Sequence, residues 1–252
     1  SFLIGFPRSG TTLLDTILRT HSKINVVEEQ PTTTNARKFL SAHGNYNFID
    51  SFPSIELKNG ALEIYFSEFE RHISKWENKK EQVDKLPLNL LQLPMINFLF
   101  PDAKYIMALR HPCDVVLSCW MQNFELNSAM ANMVDLRRIV DFYCLSMELF
   151  MAARNKFSLD VHFIRYEDLI INMHSESTKL LNFLSLDWED SLVKYNETAL
   201  SRNKINTPSY SQVVRPLYKD STFRWKNYRD KLSFSFTLLE PWISEFGYDT
   251  KE

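Results

Sequence analysis

Gly5-Phe6-Pro7-Arg8-Ser9-Gly10-Thr11-Thr12 follows a short strand-like run, Ser1-Phe2-Leu3-Ile4, and empties into an apolar stretch from Leu13 to Leu18. Strand, tight loop and helix start stand in the order and spacing of the phosphate-cradling loop G-x-x-x-x-G-K-[ST]. The first N–H groups of a helix have no intrahelical partner and the helix dipole adds partial positive charge, so such a loop attracts anions. Thr11 sits in the slot of the loop lysine, and the cation has moved inside the loop to Arg8. A loop without its lysine argues against ordinary ATP or GTP hydrolysis and for a nucleotide gripped at a different phosphate. A glycine-bounded turn with no ligand is the simpler alternative. Three hydroxyls and one guanidinium in a single turn favour the anion site.

The other groups fit for chemistry are the tandem acids Glu28-Glu29, the pair Asp84-Lys85, Arg110, and Tyr166-Glu167-Asp168. The sequence places them along one rim, where the strands end. Ile24 to Val27 is a short strand running into the acids. Tyr105 to Leu109 is a continuous apolar run, as expected of a parallel strand covered on both faces, and it ends at Arg110-His111-Pro112. Pro112 and Asp114 open a helix toward Trp120. Val161 to Tyr166 is the next strand. Asp84-Lys85 is set on the same rim, without a strand of its own being read before it.

Helices are expected from Thr11 to His21, from Leu90 to Phe100, from Leu136 to Ala153 and around Leu180 to Leu184. Residues 32–80 read as helices and loops inserted between core strands. Strands alternating with helices predict an α/β fold, a P-loop-type parallel sheet flanked by helices with right-handed crossovers. Ligands of such sheets lie outside the carboxyl ends of the strands. One domain over residues 1–252 is the simplest organisation.

Composition bounds the rest. Of 252 residues 44% are hydrophobic, enough for a core, and the net charge of −2 gives no global pull toward nucleic acid or anionic membrane. Cys113, Cys119 and Cys144 form no C-x-x-C motif, and their odd number disfavours a disulfide framework. Cys113 and Cys119 are read as small buried hydrophobes, and the location as a reducing one, the cytoplasm. No apolar run approaches the ~20 residues that span a bilayer. The chain opens on strand residues without a methionine, so it reads as truncated at its N-terminus, with an unknown region upstream.

Three segments together, Pro7-Arg8-Ser9-Gly10-Thr11-Thr12, then Ala108-Leu109-Arg110-His111-Pro112 through Ser118, then Arg165-Tyr166-Glu167-Asp168-Leu169, resemble the sulfotransferases that use 3′-phosphoadenylyl sulfate (PAPS). The likeness runs from the first strand to about Tyr228. Arg8, Val27-Glu28-Glu29 and Ser209-Tyr210-Ser211-Gln212-Val213-Val214-Arg215-Pro216 draw it toward the tyrosylprotein sulfotransferases and their bacterial, often repeat-fused, relatives. The resemblance implies a sulfotransferase fold and transfer of a sulfuryl group from PAPS to a hydroxyl on a peptide tyrosine, a sugar or a small molecule, with residues 32–80 expected to shape the acceptor pocket. No metal is implied, and a homodimer is a possible assembly.

Residue by residue, the resemblance assigns Arg8, Ser9, Gly10, Thr11 and Thr12 to the 5′-phosphosulfate end of the nucleotide, and Arg110 and Ser118 to its 3′-phosphate. Ser118 lies two turns into the helix after Arg110, so both side chains can face one phosphate, and a guanidinium fork suits it. Tyr166 resembles the aromatic near the nucleotide, and Arg224 a cation of the closing tail. Glu167 and Asp168 are read as caps of the next helix.

Aryl and steroid sulfotransferases place a catalytic histidine in a K-T-H-L-P segment where this chain has Asp84-Lys85-Leu86-Pro87. Lys85 therefore reads as the donor that stabilises the leaving group. The second of the tandem acids matches the family's catalytic glutamate, which makes Glu29 the base, with Glu28, His21 and His111 as alternatives. Neighbouring residues of an extended segment point apart, so the two acids are not expected to share the role. Ser209 matches a serine near the transferred group. Two rival functions are a P-loop kinase of a small metabolite, with Mg²⁺ on Thr11 or Thr12, and a nucleotide-binding module without catalysis.

Overall fold

The computed structural model describes residues 1–73, 81–124, 127, 129–201 and 222–249. Its sheet has five parallel strands in the order β2-β3-β1-β4-β5. They are β1 (Phe2–Gly5), β2 (Ile24–Glu28), β3 (Glu81–Lys85), β4 (Lys104–Leu109) and β5 (Asp160–Arg165). Among the helices, α1 (Thr11–Thr20) follows β1, and α2 (Thr32–His43) and α3 (Ile55–Glu70) fill the insert. A 3₁₀ turn (Pro87–Gln92) and α4 (Leu93–Leu99) follow β3, with Pro94 at the start of α4, where a missing N–H is tolerated. Then come α5 (Pro112–Trp120), α6 (Leu136–Phe157), α7 (Tyr166–Ile171), α8 (Met173–Phe183) and α9 (Tyr195–Ser201). A 3₁₀ turn (Arg224–Tyr228), α10 (Arg229–Leu232) and α11 (Phe236–Glu245) close the described chain.

Period-two alternation sorts the core into two layers. Phe2, Ile4, Tyr105, Met107 and Leu109 pack toward α6, α4 and the insert, together with Val140, Tyr143, Phe150, Leu93 and Tyr65. Leu3, Val26, Val83, Ile106 and Ala108 pack toward α1 and α8, with Leu14, Ile17, Leu180 and Leu181. Cys113 and Cys119 are buried free thiols, as the sequence suggests. No helix among the described residues is long and apolar enough to cross a membrane.

β3 is the element the sequence leaves unread. Glu-Gln-Val-Asp-Lys contains one apolar residue, yet the strand lies between β2 and β1, with Asp84 and Lys85 at 1% and 0% exposure. Since Val83 faces α1, Lys85 two residues on faces α1 as well, and Asp84 faces the insert. One strand end thus delivers two buried charged groups to opposite sides of the sheet.

Candidate active site

The loop after β1 forms at the carboxyl end of the sheet with two left-handed residues, Arg8 (φ 73°) and Gly10 (φ 98°). Ser9 Oγ donates to the Phe6 carbonyl at 2.7 Å, so this hydroxyl is spent on the loop itself. Gly10 is the N-cap of α1 and no side chain caps the helix, while Thr11 and Thr12 are buried in its first turn. Gly5 lets β1 meet β4 closely, since a Cβ there would stand 2.8 Å from the Ala108 carbonyl oxygen.

Arg8, Arg110, Ser118 and Tyr166 converge beside this loop. Arg8 Nε donates to Ser118 Oγ at 3.0 Å, and Arg110 Nη1 donates to the Arg8 carbonyl at 3.3 Å. The Arg110 guanidinium lies 5.1 Å from the centre of the Tyr166 ring. The grouping expected from sequence therefore forms, with one change: Ser118 is held by the loop arginine. Gly10 packs against the same ring, and a Cβ at Gly10 would fall 2.9 Å from Tyr166 Cδ2. Gly10→Ala is expected to destabilise the fold by about 1–3 kcal/mol through backbone strain alone, and to weaken anion binding. Chemical denaturation of the variant reads the first effect; a midpoint unchanged from wild type would show that the loop relaxes freely.

Lys85, with 0% exposure, lies among three acids. Its Nζ donates to Glu29 Oε1 at 2.6 Å and to Glu28 Oε1 at 3.2 Å. Burial alone would lower its pKa, but Glu29, Asp15 and Glu28 outweigh that and hold the ammonium above its ordinary range. Asp15 on α1 is itself fully buried and paired with Arg19 at 2.9 Å. It is a member of the cluster that sequence reasoning missed, because an acid inside a helix reads as part of a solvated face.

The expectation that Glu28 and Glu29 point apart is not met. Glu28 is the register partner of Lys85 and shares its sheet face. Glu29 lies just beyond the strand at φ 51°, which breaks the alternation and turns its side chain back to the same ammonium. Its N–H also donates to the Lys85 carbonyl at 2.7 Å. The two acids still differ in one respect: the Glu28 side chain is 10% exposed and that of Glu29 34%.

Both histidine alternatives are placed away from such a role. His21 lies at the far end of α1, a helix length from the loop, and its Nε2 meets the Asp187 carbonyl at 2.9 Å. His111 is 1% exposed, accepts the Cys113 N–H at Nδ1, and stacks on Trp225 with ring centres 5.0 Å apart. Burial, helped by Lys226 and Arg110, pushes its pKa down to about 4.

Glu167 and Asp168 do sit in the first turn of α7, though neither is only a cap. Buried Glu167 accepts the His111 N–H at 3.0 Å and the Tyr248 hydroxyl at 2.9 Å, tying the C-terminal segment to the residue after Arg110. Asp168 pairs with Arg165 at 2.6 Å. Arg224 is exposed at the start of its 3₁₀ turn, while its neighbour Trp225 is buried and donates its backbone N–H to Asp114 Oδ1 at 2.9 Å. Ser209 and Arg215 lie outside the described residues. In the insert, a cavity of about 210 Å³ opens between α2 and the turn before α4, lined by Arg37, Ser41, Tyr46, Gln92 and Met95 among others. No cluster of three or more His, Cys, Asp or Glu side chains suited to a metal occurs among the described residues.

Comparison with known proteins gives this geometry its family. Residues 1–190 match the Sulfotransferase family. Protein-tyrosine sulfotransferase A of Caenorhabditis elegans is 22% identical over 98% of this chain and 67% of its own length. The sulfotransferase domain from the curacin biosynthetic pathway aligns over 98% of this chain and 97% of its own, with a TM-score of 0.57 at 16% identity. Mouse sulfotransferase SULT7A1 complexed with PAP aligns over 94% and 82%, with a TM-score of 0.50 at 16% identity. The chain spans 32% of the length of one curated relative and 67% of another. With three quarters of its residues matched by that family's model, the chain belongs to the sulfotransferase family.

Proposed function

We propose that the chain transfers a sulfuryl group from PAPS to a hydroxyl acceptor, with Glu29 as base and Lys85 as the donor to the leaving group. The observation that carries this reading is the Glu28–Lys85–Glu29 cluster at the rim that also holds the loop. Sulfuryl transfer requires a proton acceptor beside the attacking oxygen and a cation beside the departing one, and acid and ammonium 2.6 Å apart supply both in one place.

The residues present fit the donor. The uncapped start of α1 and Arg8 offer N–H groups to its 5′ end, and Arg110, stacked over Tyr166, offers a guanidinium to its 3′-phosphate. Arg224 and Ser209 are assigned to the same site on the resemblance alone. When bound, the donor supplies the sulfuryl group and a phosphate leaving group. Lys85, held charged across the neutral range by the acids around it, stabilises negative charge on the departing oxygen. Glu29, the more exposed acid, takes the proton from the acceptor hydroxyl as the new O–S bond forms and the old one breaks. Glu28, the less exposed acid, keeps Lys85 charged while Glu29 turns to the acceptor. The cavity beside α2 lies in the segment expected to shape the acceptor pocket, and a peptide tyrosine, a sugar or a small phenol each meets a glutamate base. The whole chain is read as one catalytic domain.

Thermal-shift titration tests the donor. Adenosine 3′,5′-bisphosphate is expected to stabilise the protein more than ATP with Mg²⁺ does. Arg110→Ala should weaken the bisphosphate by the charge-assisted bonds it removes, about 1.5–3 kcal/mol each. Stronger stabilisation by ATP with Mg²⁺ would replace this reading with the kinase, and unaltered affinity in Arg110→Ala would remove that residue from the site.

A further inference from the structure

We propose that Asp84 is a positioning residue, which fastens the helix following Glu29 to the strand that carries Lys85 and so fixes the separation of the two groups. The inference rests on the roles proposed above for Glu29 and Lys85.

Asp84 is buried on the sheet face opposite Lys85. Its Oδ2 accepts the Thr32 hydroxyl at 2.6 Å and the Tyr65 hydroxyl at 3.0 Å, and Asn89 Nδ2 approaches Oδ1 at 3.4 Å. Thr33 extends the network, donating to Asn89 Oδ1 at 2.7 Å. Thr32, Thr33 and Asn89 are all at 0% exposure. Thus α2, α3, β3 and the turn after it meet at one carboxylate.

The placement matters because Thr32 opens α2 only three residues after Glu29. On the near side the Glu29 N–H is fixed to the Lys85 carbonyl at 2.7 Å. On the far side Thr32 is fixed to Asp84, the residue before Lys85. The left-handed turn at Glu29 is therefore held at both ends by consecutive residues of β3. Apolar contacts through Ala36, Leu40, Ala61 and Phe69 already bury the α2–α3 insert, but such contacts are non-directional. A fully satisfied buried network adds a unique register.

Geometry, more than charge, is what this carboxylate provides. Burial is the largest influence on it and pushes its pKa up to about 6, against the Thr32 and Tyr65 hydroxyl bonds that pull it down. Both hydroxyls donate to the same oxygen, so an amide oxygen can take over that part.

The test compares Asp84→Asn, Asp84→Leu and Thr32→Val in three readouts: the ¹⁵N–¹H signal of the Lys85 ammonium in lysine-labelled protein, assigned by its loss in Lys85→Arg; kcat for sulfuryl transfer; and Kd for adenosine 3′,5′-bisphosphate. Asp84→Asn should leave the signal in place and keep most of the turnover. Thr32→Val, the milder change should Asp84→Leu not fold, should shift the signal and lower kcat by about 10-fold. Asp84→Leu should lower it by about 100-fold, the scale of a displacement near 1 Å, with Kd for the bisphosphate unchanged. An unmoved Lys85 signal in folded Thr32→Val or Asp84→Leu overturns the inference, as does an Asp84→Asn variant as impaired as Asp84→Leu. Failure of the wild-type protein to bind the bisphosphate strikes the proposed function instead, and the ammonium signal still decides the role of Asp84.

Discussion

Lys85→Ala is expected to lower turnover by about 100-fold or more while leaving the affinity for adenosine 3′,5′-bisphosphate nearly intact, as for loss of a donor that acts on charge developing in the transition state. The structure adds a second expectation. With the ammonium gone, Asp15 stays buried and Glu28 largely enclosed without it, and breaking a buried pair in this way costs about 3–5 kcal/mol. Lys85→Arg is therefore the necessary companion. It keeps the charge but replaces a compact ammonium by a planar fork, so it should restore stability more than turnover. The pKa of Lys85 is raised above its ordinary range by Glu29, Asp15 and Glu28, which outweigh burial, so its charged form and the stability it contributes persist across the neutral range. That contribution fades only in alkali, as pH climbs through the raised value. Normal turnover with poor bisphosphate binding in Lys85→Ala would recast the residue as an anchor for the nucleotide.

What the sequence discloses, and what it hides, divides along physical lines. The loop was legible because glycines, a proline and hydroxyls at fixed spacing are demanded by backbone conformation, and the left-handed Arg8 and Gly10 sit inside that pattern. β4 was legible as an unbroken apolar run. β3 was not, since Glu81, Gln82, Asp84 and Lys85 look like a solvated loop until long-range hydrogen bonds satisfy them. Tyr65 and Thr32 stayed silent for the same reason: their partner is 19 and 52 residues away. The eight-residue spacing of Arg110 and Ser118 brought both to the site, but spacing along one strand-to-helix segment says nothing of Arg8, which arrives from 110 residues off to take the serine hydroxyl. The error over Glu28 and Glu29 is of another kind. Alternation holds only while the backbone stays extended, and a non-glycine residue at φ 51° has no signature in its letter.

That turn shapes the last expectation, that Glu29 and not Glu28 deprotonates the acceptor. Glu29→Gln keeps the shape of the side chain and removes its proton acceptor, so transfer should fall by roughly 10²–10⁴-fold with bisphosphate affinity preserved. Both acids touch Lys85, so orientation no longer separates them, as the extended-chain argument had it. Exposure does. At 34% the Glu29 side chain has room to leave the ammonium for an incoming hydroxyl, whereas Glu28 at 10% is enclosed beside its register partner. Glu28→Gln should thus act on the lysine: it removes one of the charges that hold the ammonium, lowers stability, and reduces turnover less than Glu29→Gln does. Measuring kcat and the urea midpoint for both variants separates the two roles. If Glu28→Gln abolishes transfer and Glu29→Gln leaves it intact, the assignment reverses, and if both remain active the base is neither carboxylate.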